Sequence, residues 1–143
     1  MKIIVDAFGG DNSPEEIVKG TLEAVREREG FDVALVGQEN AVRSILQKEI
    51  DYDASRVSVV NADDVITCEE APVEAIRKKP NSSIVVAAKL LKEDSSAKAF
   101  VSAGSTGAVL AAAIFLTPRV KGIIRPALAP TMPNLQGGET MLL

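Results

Sequence analysis

Two short segments hold most of the residues able to do chemistry. Ser102-Ala103-Gly104-Ser105-Thr106-Gly107 joins a strand-like apolar run to a very apolar helical run. Small residues there leave the first N–H groups of the helix uncovered, and Ser105 and Thr106 add hydroxyl donors. A helix start also carries partial positive charge, so this donor set suits an anion such as phosphate. The competing reading is N-capping and close helix packing. The pattern is not a Walker loop, because no Lys follows the second Gly, and it is not G-x-G-x-x-G, which counts against a dinucleotide. The second segment is Asp6-Ala7-Phe8-Gly9-Gly10-Asp11. Gly9 and Gly10 permit unusual backbone angles and close approach of a ligand. Asp6 and Asp11 would orient neighbours, since bare carboxylates cannot hold phosphate directly. The alternative here is a tight turn with polar ends.

Cations form a third group. Arg77-Lys78-Lys79 precedes a helix start at Asn81-Ser82-Ser83, where they would meet a phosphate or an acidic partner, or simply form a solvated face. Arg125 offers bidentate contact to a phosphate. Net charge is −4, which argues against general nucleic-acid binding. Residues 95–138 contain no Asp or Glu but hold Lys98, Arg119, Lys121 and Arg125, so an anion is better received there than elsewhere. No His is present. A Ser-His-Asp or Cys-His mechanism cannot be assembled from these residues, and a zinc site would lack its usual ligands. No metal and no cofactor is implied. Cys68, the only cysteine, stands in an acidic loop that disfavours a thiolate, so it reads as a bystander.

These segments need strands and helices to hold them. Strands are expected at Lys2–Val5, Val33–Val36, Val57–Val60 and Ala99–Ser102, with further ones at Leu128–Met132 and Thr140–Leu143 around an exposed Gly-rich loop, Asn134–Glu139. Helices alternate with them. Ser13, Pro14 and Glu16 read as N-cap, first position and third position of a capping box, and Gly30 as the stop. The next helix places Val42, Ile45, Leu46 and Ile50 on one side. A short helix covers Val73–Lys78, and another covers Ser82–Lys92 with Ile84, Ala88 and Leu91 inward. Ser105–Leu116 is apolar enough to be buried nearly all round, and Pro118 ends it. This order implies an α/β fold: a mostly parallel sheet with helices on both faces. Ligands in such sheets bind beyond the carboxyl ends of the strands, where both loops above fall.

The 143 residues suffice for one domain, and 46% are hydrophobic with only 3% aromatic. The core must therefore be Val, Ile, Leu and Ala, as suits a buried parallel sheet. Ile3–Val5 is too short for a secretory h-region, and the longest apolar run, Ala108–Leu116, is far below the roughly 18 residues of a membrane span. A cytoplasmic protein is expected. Ending on Met141-Leu142-Leu143, in what reads as a buried strand, suggests a chain cut short.

Five segments in order resemble the phosphate acyltransferase family, the fatty acid/phospholipid synthesis proteins. They are Ile3–Asp11; Pro14-Glu15 and its helix; Pro72–Lys79 with Ser82-Ser83; Ser102–Ala108; and Arg125-Pro126-Ala127-Leu128. Each alone is weak, but together they run along essentially the whole chain. Family members usually carry Met at the place of Phe8, and more often a basic and an acidic residue at Pro80 and Asn81. The resemblance implies a fold related to phosphotransacetylases and isopropylmalate dehydrogenases, of which residues 1–143 are the N-terminal portion. It implies transfer of an acyl group from acyl-[acyl carrier protein] to inorganic phosphate, feeding the first acylation of glycerol 3-phosphate. It also implies a cytoplasmic homodimer with peripheral membrane contact through a C-terminal part. On that reading Gly104, Ser105, Thr106 and Gly107 cradle phosphate. Asp6, Gly9, Gly10 and Asp11 form the loop that closes over it, and Arg77, Lys78, Lys79 and Arg125 contact an anion or the carrier protein. Competing readings are a short-chain phosphotransacetylase using coenzyme A thioesters, a decarboxylating dehydrogenase relative, and a non-catalytic phosphate- or carrier-binding portion.

Overall fold

Ile4 and Val5 point in opposite directions, and the layers follow from that alternation. The computed structural model describes residues 1–124 and 126–141. In β1 (Lys2–Asp6), Val5 packs with Val33, Leu35 and Val59 on one face, and Ile4 packs with Ala34, Val36 and Val60 on the other. Strands β2 (Asp32–Gly37), β3 (Val57–Asn61) and β4 (Ala97–Val101) complete a sheet in the order β3-β2-β1-β4. All three pairings are parallel. The central strand β2 is buried on both faces from Val33 to Gly37, as an apolar run without alternation should be.

Helices α1 (Glu15–Glu27) and α2 (Glu39–Leu46) cover the Val5 face through Val18, Leu22, Val25, Val42 and Leu46. The chain then crosses back from β3 to β4 by way of α3 (Pro72–Lys78) and α4 (Ser83–Glu93). Ala87 of α4 packs against Ile4, Ala34 and Val36 on the opposite face. Helix α5 (Thr106–Leu116) follows β4 and packs on α3 and α4. The connections leave β1 in one direction and arrive at β4 from the other, so β1 and β4 flank a topological switch point, where open parallel sheets bind ligands.

Several sequence expectations need correction. The capping box does not form. Pro14 itself is the N-cap residue of α1, with no side-chain cap, and the backbone carbonyl of Asn12 accepts the Glu16 N–H instead. Helix α1 ends at Glu27, before Gly30, whose φ of +88° lies in the turn to β2. Helix α2 stops at Leu46 and leaves Ile50 exposed. Helix α5 is buried on one side only, through Ala108, Ala111 and Ala112, while Phe115 is exposed. Its uniform apolarity reports the sum of its faces, whereas burial depends on which neighbours are present. The last strands are β5 (Thr131–Pro133) and β6 (Glu139–Met141), an exposed antiparallel hairpin separate from the sheet. Pro126, Pro130 and Pro133 lack N–H donors, which suits a short edge pairing rather than a buried strand. The end of the expected last strand, 142–143, lies outside the described residues. Among the described residues no helix is long and apolar enough to cross a membrane.

Lys2 at the start of β1 is tied to Asp94, in the turn before β4, by a 2.6 Å ion pair. Hydrogen bonds from Lys2, and then from the hydroxyl and N–H of Ser96, hold the Asp94 carboxyl well below its ordinary value of 3.8. A depressed carboxyl contributes stability that is present above its unfolded value and lost as pH falls through the folded one. Stability to urea should therefore decline as pH drops below 3.8, and Asp94→Asn should flatten that part of the curve. An unchanged slope would remove this pair from the acid response.

Candidate functional site

The register that sets Val5 beside Val101 brings the ends of β1 and β4 together, so the two Gly-containing loops leave the sheet side by side. Asp6 is only 1% exposed. One carboxylate oxygen, Oδ2, accepts a hydrogen bond from the Ser102 hydroxyl at 2.7 Å, and the other accepts the Phe8 N–H at 3.1 Å. Ser102 Oγ in turn accepts the Gly104 N–H at 3.0 Å. A continuous relay thus runs from the backbone of the second loop to a buried carboxylate of the first. Such a carboxylate needs these donors, because burial without them is costly.

Gly9 is required by the same contact. A Cβ there would lie 2.6 Å from the Gly104 nitrogen and 2.9 Å from both Asp6 Oδ2 and Ser102 Oγ. Gly10 has φ +97°, a conformation that side chains disfavour. Sequence reasoning assigned Ser102 to the motif but gave it no role. The available signal was positional: a Ser ends one strand where an Asp ends its neighbour.

Ser105 is the N-cap of α5, nearly buried, with its Oγ accepting the Ala108 N–H at 3.4 Å. Its hydroxyl hydrogen is still available to donate. Among the described residues no acceptor meets the N–H groups of Ser105, Thr106 and Gly107, and the Thr106 side chain is exposed. These are the uncovered donors of a helix start. Gly107 also serves packing, because a Cβ would come within 2.6 Å of Pro72 Cγ at the start of α3.

A cleft of about 270 Å³ opens between the two loops and a third wall, residues 65–69 of the acidic segment. Phe8, Gly10, Asp11, Gly104 and Ser105 line it, as does the exposed Cys68. Lys79 braces the third wall from behind. Its Nζ donates to the Val65 carbonyl and to Glu70, each at 2.8 Å, and Glu70 accepts the Thr67 N–H at 2.8 Å. The hydrogen bond from Lys79, followed by that from Thr67, holds the Glu70 carboxyl below its ordinary value. The three cations expected to act together therefore separate. Lys79 turns inward, Lys78 pairs with Glu74 at 2.9 Å on the exposed side of α3, and Arg77 is exposed. Arg125 lies outside the described residues.

A family model described as "Fatty acid synthesis protein" matches residues 1–143. The chain belongs to this family. Curated relatives include the phosphate acyltransferase of Syntrophomonas wolfei, 50% identical over 143 residues, which are 100% of this chain and 44% of that protein. That of Thermoanaerobacter pseudethanolicus is 45% identical over 142 residues, 99% of this chain and 41% of the relative. That of Acetivibrio thermocellus is 47% identical over 137 residues, 96% and 40% respectively. The chain thus spans less than half the length of the family members it matches. Within that span lie the switch point and both loops.

Ser102→Ala would leave the Gly104 N–H and one oxygen of Asp6 unpaired in a buried place. Loss of such partners costs on the order of 1–3 kcal/mol, and urea unfolding should show a loss in that range. Gly9→Ala should be at least as damaging, since its Cβ meets backbone rather than a yielding side chain. A fully stable Gly9→Ala variant would show that the loops need not touch.

Proposed function

We propose that the chain forms the phosphate-binding portion of an enzyme that transfers a fatty acyl group from acyl-[acyl carrier protein] to inorganic phosphate. The observation that carries this reading is the set of uncovered N–H groups at Ser105, Thr106 and Gly107, held at a switch-point cleft by the Asp6–Ser102–Gly104 relay. The name of the curated relatives, phosphate acyltransferase, agrees with it.

In this reading phosphate sits at the start of α5, receiving N–H groups and the hydroxyls of Ser105 and Thr106. A phosphate oxygen attacks the thioester carbonyl, the new C–O bond forms, and the C–S bond breaks. The proton carried by hydrogen phosphate leaves with the carrier thiol, so no side-chain base is needed for balance. The task left to the protein is positioning, together with donors for the oxyanion of the tetrahedral intermediate. Phe8, Val65 and Ile66 offer the cleft an apolar side for the carbon chain next to the carbonyl. Asp11, on the rim, repels a second anion and so bears on neighbours rather than on phosphate. Arg77 and Lys78 face outward, where an acidic carrier protein would meet them, and Lys79 acts by holding the cleft wall.

The test joins this chain to the remaining segment of the S. wolfei relative and supplies palmitoyl-[acyl carrier protein]. Thioester should be lost only when inorganic phosphate is present, and acyl phosphate should appear. Thr106→Ala removes one hydroxyl donor to an anion and should raise the KM for phosphate about tenfold at unchanged stability. Ser105→Ala should do the same and also cost about 1 kcal/mol of stability, because the helix loses its cap. An unchanged phosphate KM in the double variant would sink the cradle. Preference for acetyl-coenzyme A as donor would favour a short-chain phosphotransacetylase, and phosphate binding without turnover a binding role alone.

A further inference from the structure

Gly37 ends β2 without a left-handed backbone, so it is the space beside it, not its conformation, that calls for a glycine. A Cβ there would lie 2.6 Å from Phe8 Cε2, closer still to Phe8 Cδ2, and 3.4 Å from the Ala7 Cβ. The Phe8 ring therefore occupies the place that a side chain on the neighbouring strand would take. It also packs against the cluster that includes Ala7, Val18 and Val42, while the Phe8 N–H is bound to Asp6. The ring is half-buried and lines the cleft between the two loops and the 65–69 wall. On that wall Ile66 is buried in a separate cluster with Ala75 and Ile76, and the Val65 carbonyl is held by Lys79. The apolar side of the cleft thus has two walls rooted in different parts of a close-packed interior, and neither is free to withdraw.

We propose, resting on the acyl transfer set out above, that Phe8 is a specificity-determining residue for the carbon next to the thioester carbonyl, and that Gly37 is the positioning residue that sets where its ring stands. The pair admits a straight methylene chain and rejects one branched at C2. With phosphate at Ser105 and Thr106, the carbonyl it attacks stands in the same cleft, and C2 is the first carbon to reach the side formed by Phe8 and Ile66. A methyl on C2 adds a group to a slot whose sides cannot yield. The ring is already seated against Gly37, and Ile66 is backed by its own cluster. Forcing extra volume between such side chains is resisted as it is in a core. The rest of the lining includes Asp11, Thr67 and Glu69, and a methyl turned that way would strip water from polar groups. Gly37 itself touches no substrate. It acts through Phe8, because a side chain at position 37 would push the ring off its seat, and the filled cluster behind leaves the cleft as the way out.

The test uses the chain joined to the remaining segment of the S. wolfei relative, with palmitoyl- and 2-methylpalmitoyl-[acyl carrier protein] as donors. The unsubstituted protein should prefer palmitoyl by about tenfold or more in kcat/KM, the usual worth of one misplaced carbon in an apolar pocket. Phe8→Ala opens the slot and should narrow that preference several-fold. Gly37→Ala displaces the ring and should lower kcat/KM for palmitoyl about tenfold, with the KM for phosphate unchanged. Gly37→Ala/Phe8→Ala should recover palmitoyl transfer, because the displaced ring is gone. That recovery and the constant phosphate KM separate positioning from a general loss of strength in β2. If Gly37→Ala does not fold, Phe8→Ala alone decides the matter through its donor preference. A preference that Phe8→Ala leaves intact overturns the proposal, and so does a Gly37→Ala defect that the double variant retains. Phosphate-dependent transfer that ignores the C2 methyl overturns it while leaving the acyl transfer standing. No transfer from either donor by the unsubstituted protein ends the acyl-transfer reading and this inference with it.

Discussion

Everything at the carboxyl edge of this sheet depends on one buried carboxylate and the hydroxyl that meets it. Asp6 and Ser102 are 96 residues apart in the chain and 2.7 Å apart in the fold. Because Ser102 also receives the Gly104 N–H, the pair does more than join two strands. It sets the direction in which the second loop enters α5, and with it the direction of the N–H groups at Ser105, Thr106 and Gly107. The low exposure of Asp6 makes the arrangement strict. A buried carboxylate deprived of its donors is costly enough to disfavour any loop conformation that withdraws them.

The packing beneath the site is built for close approach rather than bulk. Ala87, Ala88, Ala108, Ala111 and Ala112 make up much of the interface among α4, α5 and the sheet, with Ile84, Val85 and the partly buried Phe100 among the larger residues between. Small residues let helices sit near one another, and Gly107 against Pro72 is the tightest instance. That contact ties α3 to the start of α5. Lys79, at the end of α3, in turn holds the 65–70 wall through Val65 and Glu70. The cleft is thus bordered by three segments remote in sequence, each anchored to a different strand or helix by one or two polar contacts.

The surfaces left uncovered are as informative as those that are filled. The β4 edge, the face of Val101 and the outer side of α5 at Phe115 are apolar and exposed, whereas the opposite edge strand β3 is braced by Arg56. That guanidinium lies over the Phe31 ring and donates to the carbonyls of Val25 and Phe31. Both edge strands, β3 and β4, pair on one side only among the described residues.

The amino-acid sequence by itself determined the element order, the parallel α/β class and the two loops at the strand ends. Those depend on short-range periodicity and on glycine and hydroxyl residues whose meaning is local. It also carried the family, through five weak motifs in a constant order. What only the tertiary structure decided are the facts that depend on distance across the chain. Ser102 became a partner of Asp6 because of a strand register that no local pattern encodes. Lys79 left its two basic neighbours because a carbonyl and a carboxylate from another loop lay within reach of its ammonium. Pro14 stands where Ser13 was expected as the cap, and the Asn12 carbonyl of the preceding turn takes the Glu16 N–H that a Ser13 side chain would have taken. The burial of α5 stopped at one face because apolarity is a property of residues, while burial is a property of what stands beside them.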